Sequence, residues 1–72
     1  MLKKDQALVK LGSKIAGFRK EKGFSQEELG FRITRARNYI GCIERGEKSP
    51  SLQTLQKIAK ALGVKVKDFI EF

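Results

Sequence analysis

Residues 24–46 read FSQEELGFRITRARNYIGCIERG, and the architecture can be worked out from that stretch. Ser25 is a good helix N-cap, because its hydroxyl can accept one of the backbone N–H groups that a first turn leaves unpaired. Glu28 stands three residues later to complete a capping box. Phe24 before the cap and Leu29 at the fourth helical position form a hydrophobic staple. The spacing predicts a helix over about 26–33. A second helix is predicted over 35–45, stopped by Gly46. On a helical wheel its Ala36, Ile40 and Ile43 face one way, with Tyr39 on the flank, while Arg37, Asn38, Gly41, Cys42 and Arg45 face the other. A very short connection around Thr34 joins the two helices.

Working outward, Leu8, Leu11, Ile15 and Phe18 recur at spacings of three and four, the apolar stripe of a preceding helix that ends at Gly23. After the loop Glu47-Lys48-Ser49-Pro50, Ser51 caps a fourth helix. Leu52, Leu55, Ile58, Ala59 and Leu62 are its expected inner face, and Gly63 closes it. A last short helix holds Val66, Phe69 and Ile70, with Phe72 at the terminus. No segment shows the period-two alternation of a half-buried strand. An all-α domain of five helices over residues 1–72 is expected, each helix burying one face in a shared core.

Composition narrows the function. With 72 residues there is room for one domain, which buries only about 60% of the surface its unfolded chain exposes. Cys42 is the only cysteine, so no intrachain disulfide can reinforce that thin core. The first six residues carry charges without a following signal-length apolar run, and no run of about 18 apolar residues could span a bilayer. A cytoplasmic location and no membrane association are expected. Sixteen Lys and Arg against eight Asp and Glu leave a net charge of +8. That surplus favours polyanionic partners, whether DNA, RNA or an acidic membrane face. Enzymatic chemistry is hard to place. Histidine, the commonest general base and metal ligand, is absent. Cys42 has neither a His partner nor a second Cys, and the carboxylates are scattered among basic residues. No catalytic residue, cofactor or metal site is expected.

Two short helices joined by a tight connection make a helix-turn-helix, whose second helix can lie in the DNA major groove. Arginine can grip guanine O6 and N7 in a two-pronged fork, and asparagine can do the same to adenine N6 and N7. Arg37 and Asn38 lie in the first turns of that helix, the end that reaches base edges, and are the expected base readers.

Leu11-Gly12, Ile15, Arg19-Lys20-Glu21-Lys22-Gly23, Ser25-Gln26-Glu27-Glu28-Leu29, Arg37-Asn38-Tyr39-Ile40, Ile43-Glu44-Arg45-Gly46, Pro50-Ser51-Leu52 and Ile58-Ala59-Lys60-Ala61-Leu62-Gly63-Val64 together resemble the lambda-repressor-like helix-turn-helix domains, of the Cro/repressor and xenobiotic-response-element type. The resemblance runs without a gap from about residue 8 to 70. It implies a five-helix domain, usually dimeric on DNA, that regulates transcription. Position by position, it implies that Gln26 holds a phosphate at the start of the second helix. Arg37, Asn38 and Cys42 match base-facing positions, and Lys48 and Ser49 match the loop that follows along the DNA backbone. Tyr39 looks like the tyrosine of an Arg-Asn/Thr-Tyr run that also reaches DNA, and Arg35 joins the backbone-contacting set. Arg19 and Glu44 match the two ends of an ion pair between the first and third helices.

Three departures bear on the helix boundaries. Thr34 replaces the usual turn glycine, so either the turn avoids positive φ or Thr34 carries strain. Ala36 and Lys65 replace polar residues, leaving the third and fifth helices without good caps. Gly41 and Cys42 leave a shallow patch on the exposed stripe, to be read either as a close-approach or thymine-methyl surface or as simple tolerance. Phe69, Ile70 and Phe72 are more apolar surface than one thin core should absorb, and are expected to form a two-fold dimer contact. The partner is then double-stranded DNA bound by a homodimer, with no small-molecule effector. The alternative on the same fold is a protein–protein adaptor or antitoxin-like module, which would expose aliphatics on the third helix in place of Arg37, Asn38 and Arg45.

Overall fold

Asp5 opens the first helix, its carboxylate accepting the backbone N–H groups of Ala7 and Leu8 at 2.8 and 3.3 Å. The computed structural model describes residues 5–71, in which the helices are α1 (Gln6–Lys22), α2 (Gln26–Arg32), α3 (Arg37–Glu44), α4 (Leu52–Leu62) and α5 (Lys67–Ile70). There is no strand among the described residues, so the fold is all-α with five helices, as expected. Ser25 Oγ accepts the Glu28 N–H at 3.0 Å. Glu28 itself pairs with Arg32 at 3.2 Å, one turn further on, so half of the capping box is used as a cap and half as a helix-surface ion pair.

The core is one cluster in which Ile15, Leu29, Ile40, Ile58 and Phe69 are fully enclosed, with Leu11, Ile33, Ile43, Leu55, Ala59 and Leu62 around them. Helix α1 is the central strut, packed against α3, α4 and α5, while α2 packs on α3 and α4. Two expected inner residues are outside this core. Ala36 is the exposed N-cap of α3, which starts two residues later than the spacing predicts. Leu52 is 64% exposed. Ser51 accepts the Thr54 N–H at 3.1 Å and donates to Thr54 Oγ1 at 3.0 Å, which turns Thr54, Leu55, Ile58, Ala59 and Leu62 inward. Leu52 is left about a quarter turn from the centre of that face.

Phe69 corrects the expected dimer contact. It is wholly buried and meets Phe18 edge-to-face with ring centroids 5.8 Å apart, so its side chain fills the monomer's own core. Ile70 beside it is 53% exposed, and Phe72 lies outside the described residues. Helix α5 starts one residue later than a cap at Lys65 would place it, and its N-cap Val66 makes no side-chain cap bond. Asp68 reaches back instead and accepts the Lys65 N–H at 2.9 Å.

Gly46 ends α3 at φ 77°, and a Cβ there would stand 2.8 Å from Val9 Cγ2 and 2.9 Å from Val9 Cα. Both the left-handed turn and the close approach of α1 require glycine. Thr34, by contrast, holds φ 60° with a β-branched side chain, so the strained alternative is the one adopted. Its turn is drawn tight by the Arg35 N–H, which donates to Gly30 O at 2.7 Å. Thr34→Gly should therefore stabilise the domain by about 0.5–1 kcal/mol, the relieved strain being partly offset by glycine's extra freedom in the unfolded chain. A melting temperature at or below that of the parent would show that the turn is relaxed with threonine in it.

Candidate nucleic-acid interface

The anchoring of α3 begins in α1. Arg19 Nε and Nη2 grip Glu44 Oε2 and Oε1 at 2.6 and 3.0 Å, and Arg19 Nη1 donates to Phe24 O at 2.7 Å. Both side chains are nearly enclosed, at 10% and 7% exposure. A buried guanidinium that spends its fork on one carboxylate and its remaining nitrogen on a carbonyl has a partner at each of its three nitrogens. No buried side-chain nitrogen or oxygen among the described residues lacks a partner. This pair ties the end of α3 to α1 and to the turn that opens α2.

Gln26 extends the network, its Nε2 donating to Glu44 Oε1 at 3.0 Å. A carboxamide nitrogen has two N–H groups, and only one is needed for that bond. Gln26 and Arg37 share an open cleft of about 380 Å³ with Ser25 and Glu27, so the start of α2 stands beside the first turn of α3.

At about 100° per residue, Arg37, Gly41, Arg45, Asn38 and Cys42 follow one another around the outer surface of α3, with Tyr39 on the far flank. Arg37, Asn38 and Arg45 are exposed, and Cys42 is half-buried. Gly41 departs from expectation, because it is buried on the stripe that should be open. A Cβ on Gly41 would stand 3.0 Å from Arg45 Nη1 and 3.5 Å from Gln26 Oε1. The shallow patch read from the sequence is therefore a seat, and the Arg45 guanidinium and the Gln26 carboxamide lie across it. Glu47 holds Arg45 from the other side, at 3.0 Å from Nε and 3.2 Å from Nη2. Its carboxylate also raises the Arg45 pKa further above the usual arginine value, through the hydrogen bond first and its charge second.

On the Tyr39 flank the structure gathers two more cations. Arg35 Cζ lies 4.6 Å from the Tyr39 ring centroid and Lys48 Nζ 5.9 Å from it, both within cation–π range. Ser49 follows in the loop and is exposed. The residues expected to touch DNA thus occupy one continuous surface: Gln26 on one side of the α3 stripe, Arg35, Tyr39 and Lys48 on the other. Sequence reasoning counted Arg45 with Arg37 and Asn38 as suited to nucleic acid but made it neither a base nor a phosphate contact, and it left Glu47 in the loop with no contact assigned. An arginine and a glutamate two residues apart do not signal a contact, because whether they meet depends on the turn at Gly46. Among the described residues no His, Cys, Asp and Glu side chains cluster as a metal site, and no helix is long and apolar enough to cross a membrane.

Comparison with known proteins agrees with this geometry. The helix-turn-helix family HTH_3 matches residues 15–69. The control protein C.BamHI of Bacillus amyloliquefaciens is 45% identical over 62 residues, which span 85% of this chain and 76% of that protein. The crystal structure of the restriction-modification controller protein C.AhdI from Aeromonas hydrophila superposes with a TM-score of 0.83 at 39% identity, over 86% of this chain and 94% of that one. The biofilm master regulator SinR, crystallised in complex with DNA, superposes with a TM-score of 0.80 at 37% identity, over 85% of this chain and 98% of that one. With the two short helices, the anchored α3 and its polar outer stripe, these likenesses identify the chain as a member of the HTH_3 helix-turn-helix family of DNA-binding transcriptional regulators.

Proposed function

We propose that the protein acts as a homodimer and regulates transcription by reading a pseudo-palindromic operator through the major groove. The observation that carries this reading is the exposed stripe of α3, where Arg37 and Asn38 stand at the reading end with backbone-binding groups on both flanks. Arg37 and Asn38 each offer paired hydrogen-bonding groups for a base edge, and Cys42 offers a small, half-buried contact beside them. Gln26, Arg35, Tyr39, Lys48 and Ser49 hold phosphates, and so set the register without specifying bases. An adaptor would more naturally expose aliphatics on this surface. The likeness to SinR, a relative crystallised on DNA, supports the same conclusion.

The dimer contact rests on α5. With Phe69 committed to the monomer core, Ile70 is the exposed apolar residue of that helix around which a second copy can dock. Two-fold symmetry then sets the two recognition helices about 34 Å apart, in successive major grooves. So small a contact favours a weak free dimer that firms up on DNA.

Selecting bound sequences from a random duplex pool, then titrating variants on the selected site at two salt concentrations, tests the reading. Arg37→Ala and Asn38→Ala should each cost about 1–3 kcal/mol and relax preference at one base pair per half-site. Lys48→Ala should weaken cognate and scrambled duplexes alike, and lower the slope of log affinity against log salt by about one. The selected motif should be two-fold symmetric and hold two chains per duplex. One chain per duplex on an asymmetric site would overturn the dimer. An unchanged cognate-to-scrambled ratio in both α3 variants would overturn the choice of reading residues.

A further inference from the structure

The Arg45–Glu47 pair has no obvious structural use. Its two side chains are 55% and 41% exposed, and pairs so open to solvent contribute little to stability. Yet the arginine is closely held. Glu47 takes the Nε–Nη2 edge of the guanidinium in a two-pronged grip, Nη2 reaches Cys42 Sγ at 3.6 Å, and Nη1 lies so close over Gly41 that a Cβ there would stand only 3.0 Å from it. A solvated surface arginine has no need of a glycine seat.

We infer that Arg45 is a third base-reading residue of the recognition surface, positioned by Glu47 and seated on Gly41. This rests on the DNA-reading function proposed above. The donor geometry suits the role. A guanidinium has five N–H groups in a planar fork, and the grip on Glu47 uses one side edge. The end-on edge, made by Nη1 and Nη2, is the edge that matches guanine O6 and N7. In the free protein Nη2 spends its end-on donor on a thiol sulfur, a weak acceptor that a base edge readily displaces. Glu47 contributes in a second way, since a carboxylate beside the arginine disfavours an approach to phosphate.

The fold also says which base pair is meant. Arg45 lies two turns along α3 from Arg37, but its side chain folds back so that the guanidinium sits over Gly41, one turn from Arg37. One helical turn rises about 5.4 Å, and base pairs stack about 3.4 Å apart, so the guanine lies one or two base pairs from the one Arg37 reads. Gly41 is then a specificity determinant without touching DNA. Even a methyl group there meets Nη1 at 3.0 Å and shifts the fork.

Duplex selection with the full chain and with Arg45→Ala and Glu47→Gln tests the inference. Circular dichroism confirms that each variant, altered at an exposed site, remains folded. The parent should select guanine one or two base pairs from the Arg37 position, and Arg45→Ala should lose that guanine alone with a cognate affinity about ten- to hundredfold weaker. Glu47→Gln keeps the arginine but frees it, so it should blur the same position while tightening binding to scrambled DNA. Replacing that guanine by 7-deazaguanine, which lacks the N7 acceptor, should weaken the parent and leave Arg45→Ala indifferent. If Arg45→Ala keeps the parent motif and lowers the salt slope by about one, Arg45 is a phosphate contact and the inference falls while DNA reading stands. If the parent selects no motif at all, the DNA-reading function falls with it.

Discussion

Glu44→Gln is expected to remove about 3–5 kcal/mol of stability, the cost of leaving a buried charge without its counter-charge. A domain of this length is stable by roughly 4–11 kcal/mol, at about 0.05–0.15 kcal/mol per residue, so the variant should be close to unfolding at physiological temperature. At about 4–8 °C per kcal/mol, its melting temperature should fall by tens of degrees. The size follows from the geometry. Glu44 receives both prongs of Arg19 and the Gln26 amide, and at 7% exposure it has almost no water to replace them. Glutamine keeps one acceptor but points an N–H₂ at a guanidinium. Two readouts separate this from a general defect. Arg19→Met/Glu44→Leu, which removes both charges, should recover part of the loss, because an apolar pair incurs no desolvation cost. The gap between parent and single variant should persist in salt, since the parent's enclosed pair is poorly screened. A melting temperature within a degree or two of the parent would mean that α3 is held by its apolar face alone.

The second large effect sets two glycines of one helix against each other. Gly12 is buried on the face of α1 that meets α3, and a Cβ there would lie 2.2 Å from Ile43 O and 2.6 Å from Glu44 O. These are backbone atoms, so no side chain can swing aside; the helices must separate. Gly12→Ala should cost about 3 kcal/mol, at the upper end for overpacking, even after the roughly 1 kcal/mol that alanine contributes as a better helix former. Gly17, five residues later, has nothing within 4 Å of its Cβ position and is exposed. Gly17→Ala should stabilise the domain by about 0.5–1 kcal/mol, as expected for an open helix interior. Gly12→Ala should also weaken DNA binding beyond its effect on the folded fraction, because the carbonyls it displaces belong to the end of α3. Similar melting shifts for the two alanines would show that α1 and α3 are not in close contact.

Much of the molecule was legible in one dimension because the signals were local. A cap acts within three residues, as Ser25 does on Glu28 and Ser51 on Thr54, and a glycine stop acts within one turn, so the end of α1, the start of α2 and both ends of α4 could be read off directly. The 3.6-residue period likewise marked Leu11, Ile15, Ile40, Ile43, Ile58 and Leu62 as core before any packing was known. The failures have local causes too. Without a capping side chain at Ala36 the start of α3 slid by two residues, and Leu52 satisfied the period while the Ser51–Thr54 cap rotated it outward.

What the sequence by itself determined is therefore the helix count, most boundaries, the buried faces and the polar stripe of the recognition helix, all set by interactions between residues a turn or less apart. The tertiary structure alone decided that Phe69 belongs to the monomer core, that Gly12 is a crossing point of two helices and that Gly41 is roofed by Arg45. Each depends on how closely two elements approach. That distance is fixed by the packing of the whole core, and no periodicity in the chain records it.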